Sequence, residues 1–176
     1  DLVPLYGELP PDDQKRVMRP AAPGRRKVIV ATNIAETSLT IPGVRHVVDS
    51  GLARVNRYDV RRGFDVLNIE PISVASADQR AGRAGREAPG SCARLWTHEA
   101  HAHRPFSADP EILRVDLAPV VLMLAAAGWP DPQAFPWFES PPPSRLAEGR
   151  KLLEEMGAVA ALPDGITDFG RRLVRF

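Results

Sequence analysis

The segment 76–86 combines a glutamine, three arginines spaced three residues apart and two glycines. In a continuous helix, with about 100° of rotation per residue, Gln79, Arg83 and Arg86 lie within about 60° of one another, so the spacing predicts that their side chains converge. Planar guanidinium groups match phosphate oxygens two at a time, and the glycines leave the backbone open to a ligand. The segment therefore predicts a phosphate-binding surface.

Part of this pattern also has a structural explanation. Ser76 and Gln79 have the spacing of a capping box, in which the serine closes the first helical turn and the glutamine reaches back to it. This alternative accounts for Gln79 alone, because it gives no reason for Arg83 and Arg86 on the same face. We therefore favour phosphate binding for the two arginines.

Two short apolar runs have to position this surface. Residues 27–31 and 44–49 are typical of strands, and 32–39 is typical of a helix between them. Strands that are apolar on both faces and joined by a crossover imply a parallel sheet buried between helices. Ligands bind beyond the carboxyl ends of such strands, so Thr32-Asn33 and Asp49-Ser50 are expected on one rim of the sheet.

The segment 53–72 predicts a β-hairpin with a basic tip. Apolar residues alternate on both sides of the polar turn 59–63, which contains Arg61 and Arg62. An ordinary solvated turn is polar too, so the composition of the turn leaves both interpretations open. Its place in the same half of the chain as the arginine segment favours contact with nucleic acid.

Composition indicates a soluble globular protein of two small domains. The chain has 176 residues, 44% of them hydrophobic, which is enough for a real core. The single cysteine, Cys92, excludes an internal disulfide, and no apolar run is long enough to span a bilayer. We therefore expect no membrane association and a reducing cytoplasm. Because the chain begins at Asp1 without methionine, we also expect it to be a piece of a larger protein.

Charge is divided unevenly along the chain, although the formal net charge is only +1. Residues 1–108 hold 16 Lys/Arg against 12 Asp/Glu, whereas residues 109–176 hold 7 against 10. The first part is thus +4 and the second −3, which predicts that the first part faces an anionic ligand and the second is mainly scaffold.

The second part of the chain has the pattern of a small helical module. Asp116 is expected to cap a helix over 117–127, and Ser144 to cap a second helix closed by Gly157. In the second helix, one apolar face is predicted from Leu146, Leu152, Leu153 and Met156. Two short strands around 163–165 and a last helix starting near Thr167 complete the pattern of a winged-helix module.

A metal site is the weaker interpretation of the histidines at 98, 101 and 103. Their spacing departs from the H-E-x-x-H pattern, because position 102 is alanine. On a helix only His98 and His101 share a face, which leaves too few ligands for a closed zinc site. We therefore predict a surface helix and no metal ligands.

Three linked motifs carry a resemblance to a known family. They are K-V-I-V-A-T-N-I-A-E-T-S-L-T-I-P-G-V at 27–44, V-V-D-S-G at 47–51 and Q-R-A-G-R-A-G-R at 79–86. In this order they closely resemble the second motor lobe of DEAH-box RNA helicases, and D-P-E-I-L-R-V-D-L-A at 109–118 resembles the start of their winged-helix domain. The stretches L-Y-G-E-L-P at 5–10 and 20–27 most resemble the bacterial HrpB type.

The resemblance implies an α/β fold in two domains. Residues 1–108 would form a partial RecA-like parallel-sheet lobe, lacking its first strand and carrying the protruding hairpin 53–72. Residues 109–176 would form a small α-rich winged-helix domain, truncated at its C-terminal side. The implied function is that of a motor-lobe fragment of an ATP-dependent RNA helicase, which couples NTP hydrolysis to translocation on RNA and to its unwinding.

The resemblance also implies roles for individual residues. Gln79 would position the attacking water, and Arg83 and Arg86 would act as arginine fingers on the γ-phosphate. Nucleotide contacts are further implied for Ser38, Thr40 and Met18, and RNA contacts for Gly7, Thr32, Asn33, Arg61 and Arg62. Small polar residues that only close a turn remain an equal alternative for Ser38 and Thr40, and a helix cap remains one for Asn33 with Glu36.

Two positions depart from the family pattern. Pro42 stands where relatives often have an aspartate that meets the ribose, and Met18 stands where they offer an aromatic ring to the base. A flexible thioether covers a base face but selects less sharply, so we expect loose choice among nucleoside triphosphates.

The phosphate loop G-x-x-x-x-G-K-[ST] and the D-E-A-H box do not occur in this sequence. ATP and Mg²⁺ would thus be held mainly by a first RecA-like lobe of the same polypeptide, and this chain alone is expected to be inactive. The partner would be single-stranded or partly duplex RNA, and the protein a monomer. An alternative of a different class is a non-catalytic winged-helix module that binds nucleic acid without dependence on nucleotide.

Overall fold

The structure, a computed structural model, describes residues 1–37, 40–59, 61–162 and 165–175. Contacts between Cα atoms divide the chain into two compact units. The first unit comprises Asp1–Val55 and Leu67–Ala108, and the second comprises Asn56–Val66 and Asp109–Phe176. The middle of the predicted hairpin thus belongs to the second unit, whereas its base belongs to the first.

The first part of the chain alternates strands and helices. In chain order the elements are β1 (Leu2–Leu5), α1 (Pro11–Met18), β2 (Val28–Ala31), α2 (Ile34–Thr37), β3 (His46–Asp49), β4 (Leu52–Asp59), β5 (Phe64–Pro71), α3 (Val74–Gly82), β6 (Ser91–Arg94) and α4 (His98–Ala102). β1 pairs with β2 and β3 pairs with β6, both in parallel, while β4 pairs with β5. An α/β fold with parallel strands and a hairpin is therefore confirmed.

The burial predicted for the two apolar strands was wrong. Within the described residues β2 and β3 are not hydrogen-bonded to each other, so each has one neighbour and one open edge. Val28 and Val30 of β2 are exposed, and Val48 of β3 exposes 71% of its surface. The buried apolar residues of this region are instead Leu5 and Val17, with Leu9 beside them, where α1 packs on β1.

The arginine segment does not form one continuous helix. α3 begins earlier than predicted, because its N-cap is Ser73, whose Oγ accepts a hydrogen bond from the backbone N of Ser76 at 3.2 Å. The capping box proposed for Ser76 and Gln79 was therefore wrong. The helix ends at Gly82, since glycine is a poor helix former, and Arg83 and Arg86 lie in the turns that follow.

Helices dominate the second unit. They are a short 3₁₀ turn (Glu111–Leu113), α5 (Ala118–Ala126), α6 (Pro143–Glu155) and α7 (Asp168–Leu173). Their core is formed by buried residues of α5, α6 and the segment that follows α6, namely Leu117, Ala118, Val121, Leu122, Ala125, Leu146, Leu153, Ala158 and Val159. The helix predicted over 117–127 is confirmed. Its N-cap is Leu117, one residue after the predicted cap Asp116. The carboxylate of Asp116 still accepts a hydrogen bond from the backbone N of Ala118 at 3.0 Å.

Two details predicted for α6 were wrong. The helix starts at Pro143 and its N-cap is Pro142, so Ser144 lies inside the first turn and caps nothing. Of the predicted apolar face, Leu146 and Leu153 are buried, whereas Leu152 and Met156 are exposed. The buried face includes Arg150 instead, because its guanidinium group donates to the carbonyls of Pro130 and Ala160 and its charge is paired with Glu154.

The end of the chain follows the predicted order. Thr167 caps α7, since its Oγ1 accepts from the backbone N of Gly170 at 3.1 Å. An isolated antiparallel bridge joins Val159 to Ile166, and Pro163 and Asp164 of the predicted turn lie outside the described residues. Among the helices described, none has the length and apolar character needed to cross a membrane.

Candidate functional site

The candidate arginines lie in the turns after α3 and reach the segment around α2. Arg83 donates a hydrogen bond to the backbone carbonyl of Glu36, and Arg86 donates to the hydroxyl of Thr40. Partial burial and the neighbouring charge of Arg86 lower the pKa of Arg83, while Glu36 opposes this shift. Arg83, Arg86 and Thr40, which the sequence grouped as nucleotide contacts, therefore lie together, and Ser38 falls outside the described residues.

The arginine within α3, Arg80, to which the sequence assigned no role, forms a polar network beside them. Arg80 donates from Nε to the carboxylate of Glu36 at 3.0 Å and from Nη1 to the carboxylate of Asp49 at 2.9 Å. Nη1 also lies 3.1 Å from the carbonyl of Leu52. The spacing of three between arginines was visible in the sequence, but the two acidic partners are 44 and 31 residues away.

Asp49 anchors this network at the end of β3. Its carboxylate is almost wholly buried, and Oδ1 accepts both from Arg80 and from the backbone N of Gly51 at 2.9 Å. Its Oδ2 has no hydrogen-bond partner in the part of the chain that the structure describes. Buried carboxylates require such partners, so Arg80 and Gly51 together fix the position of this strand end.

An open cleft of about 1600 Å³ lies within the first unit. The cleft is lined by the candidate RNA contacts Gly7, Thr32 and Asn33 and by the candidate nucleotide contacts Arg83 and Arg86. Pro42 and Arg80 line it as well. Gln79 and Met18 are not among its lining residues. Gln79 is exposed on α3, and Met18 is half-buried at the end of α1.

The predicted RNA contacts Thr32 and Asn33 form the turn between β2 and α2. The backbone N of Thr32 donates to Leu5 at 3.1 Å, which ties the turn to β1. The carbonyl of Asn33 accepts from the backbone N of Glu36 at 3.0 Å, so the turn runs directly into α2. Gly7 is exposed, and a side chain built on it would meet no atom within 4 Å.

The hairpin tip is organised by one acidic residue. The carboxylate of Asp59 accepts from the backbone N of Arg61 at 2.9 Å and of Arg62 at 3.2 Å, and it pairs with the Arg62 guanidinium at 3.5 Å. Gly63 closes the turn at φ +73°, a conformation that favours glycine. Both arginine side chains are exposed, and Val60 lies outside the described residues.

The histidine segment is a short helix, α4. The ring of His101 stacks on Trp96 and accepts a hydrogen bond from its indole N at 3.3 Å, while Nδ1 of His103 lies 2.8 Å from the carbonyl of Glu99. Over the described ranges, no group of three or more His, Cys, Asp or Glu side chains is placed to hold a metal ion.

The arginine turns fit the phosphates of a nucleotide better than the acidic residues fit a divalent cation. Arg83 and Arg86 donate to a carbonyl and a hydroxyl, and an anionic phosphate oxygen is a stronger acceptor than either. The carboxylates of Glu36 and Asp49 already accept from Arg80, so they are engaged as an ion-pair network rather than set out as ligands of Mg²⁺.

Known proteins resemble this chain over almost its full length. It is 44% identical over 177 residues to the ATP-dependent RNA helicase HrpA of Escherichia coli (strain K12), covering 98% of this chain and 14% of that protein. It is 43% identical over 178 residues to the pre-mRNA-splicing factor ATP-dependent RNA helicase prp22 of Schizosaccharomyces pombe, covering 99% of this chain and 15% of that protein. The chain therefore spans only a small part of these relatives.

Solved structures give the same result for the fold. The crystal structure of the Escherichia coli DEAH/RHA helicase HrpB matches with a TM-score of 0.89 and 41% identity, over 98% of this chain and 22% of that one. The identities of 44% to HrpA and 41% to HrpB do not separate the two bacterial types.

A family model gives the assignment directly. Residues 1–88, half of the 176, match the family described as helicase conserved C-terminal domain, and they contain all three motifs singled out above. The chain therefore belongs to the helicase conserved C-terminal domain family, in the form found in DEAH-box RNA helicases.

Proposed function

We propose that this chain is part of the motor of an ATP-dependent RNA helicase. In this proposal residues 1–108 are the second RecA-like lobe, and residues 109–176 are a winged-helix domain. A first lobe of the same polypeptide supplies the phosphate loop and the Mg²⁺ site, and the protein works as a cytoplasmic monomer. The observation that carries the proposal is the pair of guanidinium groups, Arg83 and Arg86, on the turns that line the open cleft.

In this function the two arginines act on the nucleotide. ATP bound between two lobes supplies the phosphoryl group, and charge spreads over its oxygens during transfer. Arg83 and Arg86 would give up their carbonyl and hydroxyl partners for phosphate oxygens, and the exposed Gln79 would orient the attacking water. Thr40, next to Arg86, would sense whether the site is loaded. We propose no ribose contact for Pro42, and a loose contact of Met18 with the base.

RNA would be held by the turn between β2 and α2 and by the hairpin tip. Thr32 and Asn33 present short polar side chains at the end of a strand, where ligands of α/β sheets bind. Gly7 has room for close approach of a phosphate backbone. Arg61 and Arg62 would contact the strand that separates from a duplex.

The proposal is tested by removing each arginine finger in the full-length protein. We expect Arg83→Ala and Arg86→Ala each to lower ATP turnover by about a thousandfold or more, the range in which arginine fingers contribute. Thermal unfolding should change far less than turnover, since neither side chain is part of the buried apolar clusters. Arg94→Ala is the matched control, because Arg94 does not line the cleft and pairs instead with the exposed Asp78 on α3.

If turnover survives both changes, the motor function is wrong. Binding of RNA that does not depend on nucleotide would then favour a non-catalytic winged-helix module. The 176-residue chain by itself should not hydrolyse ATP, so measured RNA-stimulated turnover from it alone would contradict the requirement for a first lobe.

A further inference from the structure

Arg80 connects three separate segments of the first unit. Its guanidinium group, with a side chain 14% exposed, binds Glu36 in α2, Asp49 at the end of β3 and the carbonyl of Leu52 at the start of β4. A planar fork of fixed donors is needed to satisfy several acceptors in this way, and a lysine ammonium cannot reproduce it.

Glu36 is held by α3 and the turn after it at two points. Its carboxylate accepts from Arg80, and its backbone carbonyl accepts from Arg83. The position of Glu36 therefore determines where the Arg83 guanidinium finds its acceptor. A displacement of α2 would therefore move the acceptor of a candidate catalytic arginine.

On its other side Glu36 is joined to the candidate RNA turn. Its backbone N donates to the carbonyl of Asn33 at 3.0 Å, and the backbone N of Ala35 donates to that of Thr32 at 3.3 Å. One helical turn thus separates the proposed RNA contacts from the residue that Arg80 and Arg83 hold. RNA that pulls on Thr32 and Asn33 moves Glu36 as part of the same turn.

We propose that Arg80 is a positioning residue that couples RNA binding at Thr32 and Asn33 to the placement of Arg83, through its ion pair with Glu36. The inference rests on the proposed helicase function and adds a route for RNA stimulation of ATP turnover. In this proposal Arg80 contacts neither ligand, because its guanidinium group is engaged by Glu36, Asp49 and the carbonyl of Leu52. Its ion pair with Glu36 holds α2 at one of two points, and the loss of that pair leaves Glu36 held only through the bond from Arg83 to its carbonyl.

The test measures ATP turnover of the full-length protein with and without a single-stranded oligouridylate. Arg80→Ala would leave two carboxylates without their partner, so the conservative variants Glu36→Gln and Arg80→Lys are used. We expect the ratio of RNA-stimulated to basal turnover to fall about tenfold in Glu36→Gln, within the usual range of coupling between sites. Arg80→Lys, which keeps the charge but reaches fewer acceptors, should give an intermediate ratio.

Asp78→Asn is the matched control, because Asp78 lies on the same helix as Arg80 but pairs with Arg94 of β6 and not with α2. It should leave the ratio unchanged. The inference is overturned if Glu36→Gln and Arg80→Lys keep the normal ratio, or if both turnover values fall in equal proportion, as a purely structural role predicts. Absence of RNA stimulation in the unaltered protein would overturn it too.

The two proposals fail differently. Loss of turnover in Arg83→Ala with a normal ratio in Glu36→Gln refutes only the coupling through Arg80. Full turnover in Arg83→Ala and Arg86→Ala refutes the proposed function itself.

Discussion

The interactions that stabilise the interior of the second unit differ from those that stabilise the first. In the second unit, buried leucine, valine and alanine side chains of α5 and α6 form one apolar core. In the first unit the buried apolar cluster is small, β2 and β3 present exposed valines, and the strand ends are joined by charged side chains. Apolar packing is non-directional, whereas hydrogen-bonded ion pairs fix angles. The candidate chemistry thus lies where geometry is set by directional contacts.

A second arginine shows the same principle in the first unit. Arg104 donates from Nη1 to the carbonyls of Gly51 at 3.0 Å and Ile72 at 2.7 Å, and its guanidinium lies 4.4 Å from the ring centroid of Trp96. It thereby ties the start of β4 to the end of β5. Gly51 is required there, since a side chain on it would meet Trp96 and Arg104 within 2.6 Å and its φ is +72°.

The largest effect is expected in the apolar core of the second unit. Leu146→Ala removes a side chain that is 1% exposed and should cost about 2–5 kcal/mol of unfolding free energy, because it leaves a cavity. Leu152→Ala, on the same helix but 41% exposed, should cost less than about 1 kcal/mol. Urea unfolding of this chain measures both, in a Trp96→Phe background where the fluorescence of Trp129 and Trp137 reports on the second unit.

Equal costs for the two leucines would contradict the assignment of the core face of α6. Large losses of unfolding free energy in both variants would support the apolar face that the sequence predicted, because that face includes both leucines. Restoring Trp96 adds a reporter of the first unit, which should keep its own transition when Leu146 is changed.

A smaller effect is expected at the hairpin tip, where a change of charge should affect strand separation more than ATP turnover. Arg61→Glu with Arg62→Glu places negative charge at the hairpin tip of the second unit. We expect strand separation by the full-length protein to slow by about tenfold, or 1.4 kcal/mol, because like charges would face the RNA phosphates. ATP turnover should change less than about twofold.

Arg171→Glu with Arg172→Glu makes the same change of charge on exposed positions of α7 and is the matched control. Gel-based unwinding and ATPase assays on the same preparations distinguish the outcomes. Equal loss of unwinding and ATPase at the hairpin, or equal effects of the two double substitutions, would count against a separate role for the tip.

Sequence patterns predicted the elements well where short-range rules decide. The start of the last helix near Thr167 and the strands near 28–31 and 46–49 follow from local residue types. The exposure of Val48 did not follow, because an apolar run does not show which elements pack on the two faces of the strand. The end of α3 at Gly82 was missed because an unbroken helical period was assumed across two glycines.

The candidate site was predictable in its residue types but not in its connections. Arg83 and Arg86 stand out by charge and spacing, and their roles stay predictions. Arg80 has the same spacing, yet its carboxylate partners lie in α2 and β3. The spacing of arginines along the chain carries no information about carboxylates that are distant in sequence. Only the folded structure therefore distinguishes Arg80, which pairs with Glu36 and Asp49, from Arg86, which donates to a hydroxyl.

The smallest predicted effect concerns the one thiol, which reports on the polar network. Burial raises the pKa of Cys92 on β6, and Asp49 raises it further, while Arg94 partly opposes both. The raised pKa favours the protonated thiol in the folded state. The protonated thiol therefore contributes to stability below the pKa of Cys92 in the unfolded chain, about 8.5. This contribution is lost as the pH rises through the pKa of Cys92 in the folded chain.

Alkylation by iodoacetamide should consequently show a midpoint pH above that of the urea-unfolded chain, because the thiolate is the reactive form. Arg94→Gln should move this midpoint higher still, since it removes the opposing positive charge. The control is Arg16→Gln, which removes a charge on α1 that pairs with Asp13. A folded midpoint at or below the unfolded value would mean that neither burial nor the Asp49 carboxylate raises the pKa of Cys92, and would weaken the view that charged groups organise the first unit.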